Sequence, residues 1–152
     1  MRVLIQRVTE ASVTVDERVV GEIGAGLLCL VAMQKGDDEA NVAKGIERVL
    51  KYRVFADELG RMNRSARDAG AGVLWVSQFT LAADTRKGLR PGFSDAAAPD
   101  VAKDLYDYSC DCLRQSGLDV AFGQFAADMK VALINDGPVT FMLDFPPSET
   151  GS

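Results

Sequence analysis

The chain has 152 residues, 47% of them hydrophobic and 26% charged, and its formal net charge at pH 7 is −5. These values indicate one ordinary globular domain and exclude a helical membrane span, because no segment approaches the roughly 18 consecutive apolar residues that a span requires. The acidic balance also argues against broad, nonspecific nucleic-acid binding, which is typical of basic domains, although a local basic patch remains allowed.

The first half of the chain predicts a series of strands followed by one helix. The opening 15 residues alternate in polarity and lack the apolar run of a signal peptide, so we expect a cytoplasmic protein. The helix is predicted over 39–51, where Val42, Ile46 and Val49 share one face. The strands are predicted at 2–8, 11–15, 18–22 and, as a more buried strand, 26–33.

The second half predicts a second long helix and further strands. That helix is expected over 98–116, with Pro99 in its first turn and Gly117 at its end. Strands are predicted at 53–55, 72–77, 119–122, 129–134 and 139–145, loops at 61–71 and 82–98, and a flexible tail at 146–152. Two main helices among many strands predict an α+β fold, a mostly antiparallel barrel-like or sandwich-like single domain.

The residue types present restrict the possible chemistry. The chain contains no histidine, so Ser-His-Asp and Cys-His catalysis are excluded and the commonest metal ligand is missing. Three cysteines, an odd number, predict neither a disulfide framework nor a zinc site. Asp37, Asp38 and Glu39 are better interpreted as acidic residues that open a helix than as magnesium ligands. We therefore expect no metal ion and no cofactor.

Two short segments are candidates for a functional site. Ser77-Gln78-Phe79-Thr80-Leu81 follows a buried strand, where polar groups emerge at the edge of a sheet, although its hydroxyls would serve equally well to bond local backbone. Residues 135–140 read Asn-Asp-Gly-Pro-Val-Thr, which favours a β-turn between two strands. Because only about 5–6% of X–Pro bonds in folded proteins are cis, the residues alone predict a trans Gly137–Pro138 bond.

These two segments together resemble the D-aminoacyl-tRNA deacylase family, and the resemblance extends over residues 1–145. The other segments that carry it are MRVLIQRVTEASVTV at the start, RVFADELGRMNRS at 53–65, ADTRKGLRPGF at 83–93, AAAPDVAKDLYD at 96–107 and GQFAADMKV at 123–131. The chain departs from the family pattern at Ala126, where glycine is usual, at Ala82, where tyrosine is common, and at Lys130, where glutamine is common.

The resemblance implies a homodimer with its active sites at the interface. In this family the Gly137–Pro138 bond is cis and enters the partner's pocket, where the backbone carbonyls exclude an L side chain but accept hydrogen or a D side chain. A clash with the wrong enantiomer then supplies the discrimination. It also implies that Arg7 braces this loop and that Asn135 takes part in substrate binding.

The segment containing Ser77 would form the opposite wall of the site. The resemblance implies that the Phe79 and Thr80 N–H groups face the ester carbonyl, as in an oxyanion hole, and that the Gln78 and Thr80 side chains position the terminal ribose. Thr80 as a nucleophile is the alternative, but no histidine is present to activate it. Phe125 and Met129 are expected to line the adenine pocket, or else to be core residues.

The expected activity is therefore metal-free hydrolysis of D-aminoacyl-tRNA and of mischarged glycyl-tRNA, with the terminal 2′-hydroxyl of the tRNA assisting the water. Arg86, Lys87 and Arg90 are either contacts for the acceptor-stem phosphates or a solvated charged loop. One rival function is a nucleic-acid-binding module without catalysis. Another is a related deacylase for L-alanine on a noncognate tRNA, which would be expected to alter the Gly137-Pro138 pair.

Overall fold

A mixed sheet flanked by two long helices forms the framework of the computed structural model, which describes residues 1–147. From residue 148 onward, the predicted flexible tail lies outside the described residues. The strands are β1 (Arg2–Val15), β2 (Arg18–Ile23), β3 (Gly26–Ala32), β4 (Phe55–Ala56), β5 (Met62–Arg64), β6 (Gly72–Ser77), β7 (Val120–Phe122) and β8 (Lys130–Asp144). The helices are α1 (Glu39–Lys51), α2 (Ala66–Ala69) and α3 (Pro99–Arg114).

The main sheet has the order β2-β1-β3-β6-β7, with β8 on the other edge of β1. The β1–β2, β1–β3 and β1–β8 pairs are antiparallel, whereas β3–β6 and β6–β7 are parallel. The strand pairing confirms the predicted α+β class, although the sheet is mixed and not purely antiparallel. Parallel strands need a long crossover connection, and the chain provides one through α1 between β3 and β6 and one through α3 between β6 and β7.

The two ends of the sheet approach each other, which gives the domain its nearly closed barrel-like shape. They come close at Gly21 in β2, where a Cβ would collide with the carbonyl oxygen of Phe122 in β7. Glycine is required there because any side chain would push the two strands apart.

Both faces of the central strands are buried, as their continuous apolar sequences require. One face of β3 and β6 packs against α1 and α3, with Trp75 completely buried among them. The opposite face fills the inside of the barrel, where Leu28, Leu74 and Val76 meet Val8 and Val13 of β1. Burial on both sides fixes β6, and with it the segment that follows.

Several predicted boundaries change in ways that matter for the site. The predicted strands 2–8 and 11–15 form the single strand β1, and 129–134 and 139–145 join into the single strand β8. The predicted loop 61–71 contains β5 and α2. Helix α1 begins at the N-cap Asp38, as its acidic start indicated. Across residues 1–147, no helix combines the length and the apolar character that a membrane crossing needs.

Candidate functional site

A cleft of about 480 Å³ lies where β6 ends. It brings together five of the predicted site residues, namely Ser77, Gln78, Phe79, Phe125 and Met129. The remaining lining residues are Val76, Ala97, Pro99, Ala102, Ala126, Ala127 and Val131. None of these twelve side chains is a carboxylate, an amine or a thiol, so the cleft wall supplies no side chain that is a base at neutral pH.

The segment after β6 turns sharply into the cleft. Gln78 donates its N–H to the carbonyl of Val31 in β3 over 2.7 Å, and Phe79–Ala82 then form a single 3₁₀ turn. A short helical turn leaves its first N–H groups without a partner inside the turn. In the described chain no side chain caps this turn, and the Gln78 amide instead donates to the Thr80 hydroxyl. The Phe79 and Thr80 N–H groups are thus available to a ligand.

Arg2 holds the other end of this turn. Its Nη1 donates to the Leu81 carbonyl over 3.2 Å, and its Nε donates to Asp144 Oδ1 over 2.8 Å. One guanidinium therefore ties the turn to the end of β8. No local sequence pattern marks Arg2, because the residues that it joins are 79 and 142 positions away in the chain.

Helix α3 is attached to β6 immediately before the cleft. The Tyr106 hydroxyl donates to the Trp75 carbonyl over 2.7 Å, and the Trp75 indole donates to Ser109 Oγ over 2.9 Å. Burial raises the pKa of Tyr106 far above its ordinary value, so this hydroxyl stays protonated and remains a donor. The centroid of its ring lies 5.9 Å from that of Phe125, which lines the cleft.

The cleft wall also contains the clearest departure from the family pattern. Ala126 has a φ of 61°, a left-handed conformation that favours glycine. The glycine that the family resemblance leads us to expect here would adopt this conformation without strain, whereas the alanine imposes strain beside Phe125 and Met129.

The second predicted motif is a bulge within β8 instead of a turn between two strands. Gln6 of β1 pairs with Thr140 and Val8 pairs with Asn135, which leaves residues 136–139 opposite Arg7 alone. The Gly137–Pro138 peptide bond in this bulge is cis. Residues 136–138 are exposed.

Two side chains hold the bulge. Arg7 donates through Nε to the Asp136 carbonyl over 2.9 Å and through Nη1 to the Val54 carbonyl over 2.7 Å. Asn135 Oδ1 accepts from the Val139 N–H over 2.7 Å, and its amide donates to Thr140 Oγ1 over 2.9 Å. The Asn135 amide is therefore engaged within the bulge itself.

Gly137 has a φ of 144°, and a Cβ there would lie 2.6 Å from Val139 Cγ2. The backbone at this position thus excludes other residues on two grounds, conformation and space. No residue of the bulge lines the cleft of the same chain.

The predicted basic loop is closed at its base by backbone hydrogen bonds between Asp84 and Gly92. Arg86 is paired with the Asp84 carboxylate through two hydrogen bonds of 2.9 Å, which hold the pKa of Asp84 at about 2. Lys87 and Arg90 are exposed. The three predicted basic residues therefore differ, because the charge of Arg86 is compensated by Asp84, whereas Lys87 and Arg90 are exposed to solvent.

Comparison with known proteins identifies the family. Residues 4–144 match the family model described as D-Tyr-tRNA(Tyr) deacylase. The chain is 58% identical to a D-aminoacyl-tRNA deacylase of Enterobacter sp. (strain 638), with 94% of this chain and 99% of that protein covered. It belongs to the D-Tyr-tRNA(Tyr) deacylase family. A similar protein of Ruegeria sp. (strain TM1040), named D-aminoacyl-tRNA deacylase, is 56% identical, with 95% of this chain and 92% of that protein covered.

Solved structures share the fold of this deacylase family member. A "c-Myc DNA Unwinding Element Binding Protein" superimposes with a TM-score of 0.90 at 36% identity, covering 96% of this chain and 99% of that one. A "probable eukaryotic D-amino acid tRNA deacylase" gives a TM-score of 0.81 at 18% identity, covering 93% and 97%, which is a likeness of fold alone.

Proposed function

We propose that this chain hydrolyses the ester bond of D-aminoacyl-tRNA and of mischarged glycyl-tRNA, releasing a free amino acid and tRNA. The observation that carries the proposal is a cleft without ionisable side chains beside a turn with two unengaged N–H groups. Such a site suits an ester whose carbonyl needs only hydrogen-bond donors. Membership of the deacylase family, with relatives named for this activity at 56% and 58% identity, supports the assignment.

The Phe79 and Thr80 N–H groups would stabilise the oxyanion that forms when water adds to the ester carbonyl. The ribose oxygen of the tRNA then leaves with a proton, and the terminal adenine occupies the largely apolar pocket beside Phe125 and Met129. Gln78 and Thr80 would hold the ribose. The hydrogen bond from the Gln78 amide to the Thr80 hydroxyl would orient both side chains for this contact. We assign activation of the water to the neighbouring 2′-hydroxyl of the substrate, since no lining side chain is a base.

Selection against L substrates would come from a second copy of the chain. Strand β8 is an edge strand that pairs, within residues 1–147, with β1 alone. Its exposed side chains include Ile134, Phe141 and Met142. A long edge with exposed apolar residues favours association with another subunit. Such a dimer would carry the Gly137–Pro138 carbonyls into the partner's cleft, where they would exclude an L side chain.

The tRNA body would contact the loop that follows the cleft turn. Lys87 and Arg90 are the better candidates for phosphate contacts, because the charge of Arg86 is already compensated by Asp84. We expect the enzyme to act in the cytoplasm.

The direct test is hydrolysis of matched D- and L-tyrosyl-tRNA by the purified protein in the presence of EDTA. The proposal predicts rapid release of D-tyrosine and no acceleration for L-tyrosine. A nucleic-acid-binding module would bind both tRNAs and cleave neither. Cleavage of L-alanyl-tRNA in preference to every D-aminoacyl-tRNA would favour the related L-alanine deacylase.

A further inference from the structure

A group of exposed basic residues lies outside the cleft and the bulge. Although the chain has a net charge of −5, residues 44–67 contain seven basic and three acidic residues. All seven basic side chains are on exposed residues of α1, α2 and the segments around β4 and β5. We call this surface the basic face; it consists of Lys44, Arg48, Lys51, Arg53, Arg61, Arg64 and Arg67.

Helix spacing and one shared carboxylate bring several members of the basic face together. Lys44, Arg48 and Lys51 follow each other at four- and three-residue spacing and form one stripe along α1. Glu47 joins this stripe to α2, because its carboxylate lies 3.1 Å from Lys51 and 3.0 Å from Arg67.

Two further arginines, Arg64 and Arg53, lie near Asp68 at the start of α2. Arg64 donates to the Asp68 carbonyl over 2.6 Å, and Arg53 donates to Asn63 Oδ1 over 3.3 Å. The pKa of Asp68 is lowered first by hydrogen bonds from Ser65 and further by the nearby charges of Arg64 and Arg53. The basic side chains thus outnumber the carboxylates that they surround.

The basic face begins directly beside the bulge. Arg53 precedes Val54, whose carbonyl accepts 2.7 Å from Arg7 Nη1, and the same guanidinium holds the Asp136 carbonyl. On the other side of Arg53, Tyr52 meets Phe141 of β8 edge to face, with 5.9 Å between the ring centroids. A bulge inserted into a partner's cleft would therefore bring the basic face to the mouth of that cleft.

The helix that lines the cleft has the opposite charge pattern. Helix α3 contributes Pro99 and Ala102 to the cleft. Its exposed acidic residues are Asp100, Asp104, Asp107 and Asp111. Lys103 and Arg114 pair with the carboxylates of Asp107 and Asp111, which leaves the helix with a smaller net negative charge. Helix α3 therefore offers an RNA that leaves the cleft less favourable contacts than the basic face does.

We propose that the basic face binds the acceptor-stem phosphates of the tRNA whose 3′ end occupies the partner subunit's cleft. This inference rests on the proposed function and on its dimer. The tRNA then passes between Lys87 and Arg90 of the subunit that holds its 3′ end and the basic face of the other subunit. Arginine, which forms five of the seven members, suits phosphate because its planar fork donates two parallel hydrogen bonds.

The first test compares full-length D-tyrosyl-tRNA with a D-tyrosyl-CCA trinucleotide, which is too short to reach the basic face. The variant is Arg53→Gln combined with Arg64→Gln. The matched control, Arg18→Gln combined with Arg114→Gln, removes the same charge from exposed positions on β2 and α3. For the variant we expect KM for the tRNA to rise about tenfold or more with kcat unchanged, and its logarithmic salt dependence to become shallower by about one to two units.

The trinucleotide should be hydrolysed equally by the wild type, the variant and the control. The inference is overturned if the control raises KM for the tRNA as much as the variant does, or if the variant affects both substrates alike. A wild-type protein that hydrolyses neither substrate would refute the proposed function itself.

The second test asks which subunit provides the basic face. The mixed dimer combines two different subunits. One carries Ala102→Phe, which fills its cleft, and the other carries Arg53→Gln and Arg64→Gln, which remove two charges from its basic face. The single open cleft is then in the subunit with the altered basic face. The intact basic face then belongs to the other subunit. We expect a wild-type KM for the tRNA, whereas a raised KM would show that each subunit serves its own cleft and would overturn the cross-subunit assignment.

Discussion

The cleft turn, residues 77–82, and the β8 bulge, residues 136–139, are supported in opposite ways. The turn is supported from inside its own subunit, by the Val31 carbonyl, by Arg2 and by the attachment of α3 to β6. The bulge is held from behind by Arg7 and Asn135, while residues 136–138 face outward. A region fixed by the core is suited to chemistry, and one that projects from an edge is suited to contacting another subunit. Variants of the turn should therefore change the rate for every substrate, and variants of the bulge should change the ratio of D to L hydrolysis.

The largest effect is expected from Thr80→Ala. The substitution removes the hydroxyl that Gln78 contacts but leaves both main-chain N–H groups, so the rate should fall by about 10²–10³ without disappearing. The D-to-L ratio should stay unchanged, and Thr80→Ser should recover most of the rate in single-turnover assays. An acyl-enzyme trapped on Thr80 would show instead that this residue is a nucleophile.

Gly137→Ala should act mainly on selectivity. With φ at 144° and a new Cβ close to Val139, the bulge has to change shape, at a cost of about 1–3 kcal/mol. The D-to-L ratio of kcat/KM should fall by about ten- to a hundredfold. Gly117→Ala is the matched control, because it also has positive φ, 81°, but nothing within 4 Å of the added Cβ. An equal loss of selectivity in both variants would contradict the account.

Arg7→Lys should have a smaller effect of the same kind. A lysine keeps the charge but cannot bond both the Asp136 and the Val54 carbonyls in the fixed geometry of a guanidinium. Losing one such bond costs about 1 kcal/mol, so the D-to-L ratio should fall about fivefold to tenfold. A drop in the rate for D substrates at an unchanged D-to-L ratio would show instead that Arg7 acts in the chemical step and not by bracing the bulge.

The smallest effect is expected from Ala126→Gly. This substitution should change the free energy of unfolding and leave the D-to-L ratio of kcat/KM unchanged. Ala126→Gly relieves a φ of 61°, and the greater freedom of glycine in the unfolded chain offsets part of the gain. A net gain of about 0.5 kcal/mol would raise Tm by about 1–2 °C. Ala127→Gly, next to it in the cleft wall and without positive φ, should lower Tm in the same calorimetric scan.

The sequence predicted the parts of this molecule that depend on local patterns. Helices α1 and α3 followed from apolar spacing and from Asp38 and Pro99 at their starts, and the position of Ser77 at the end of a buried strand followed from the run 72–77. At the bulge the sequence predicts a turn, because Asn-Asp-Gly-Pro suits a turn and a bulge equally and the pairing with β1 distinguishes the two.

Features that depend on distant contacts could not be predicted in the same way. Parallel pairing of β3 with β6 is a property of the whole sheet, although the two continuous apolar runs are compatible with it. The brace from Arg2 to Leu81 leaves no local pattern, and neither does the bond from Tyr106 to Trp75. Ala102 enters the cleft through the position of α3, and a small residue of this kind is common in any helix. Ala97 lies just before that helix and is brought to the cleft with it.

The most direct test of the division between turn and bulge is the activity of a mixed dimer in which each subunit carries one defect. One subunit has its cleft filled by Ala102→Phe, and the other has its bulge altered by Gly137→Ala. If the bulge of one subunit completes the cleft of the other, the single open cleft receives an intact bulge. The mixed dimer should then hydrolyse D-tyrosyl-tRNA at about half the wild-type rate with wild-type selectivity, although each homodimer is defective. A mixed dimer that keeps the poor selectivity of the Gly137→Ala homodimer would contradict the account, because cleft and bulge would then belong to one subunit.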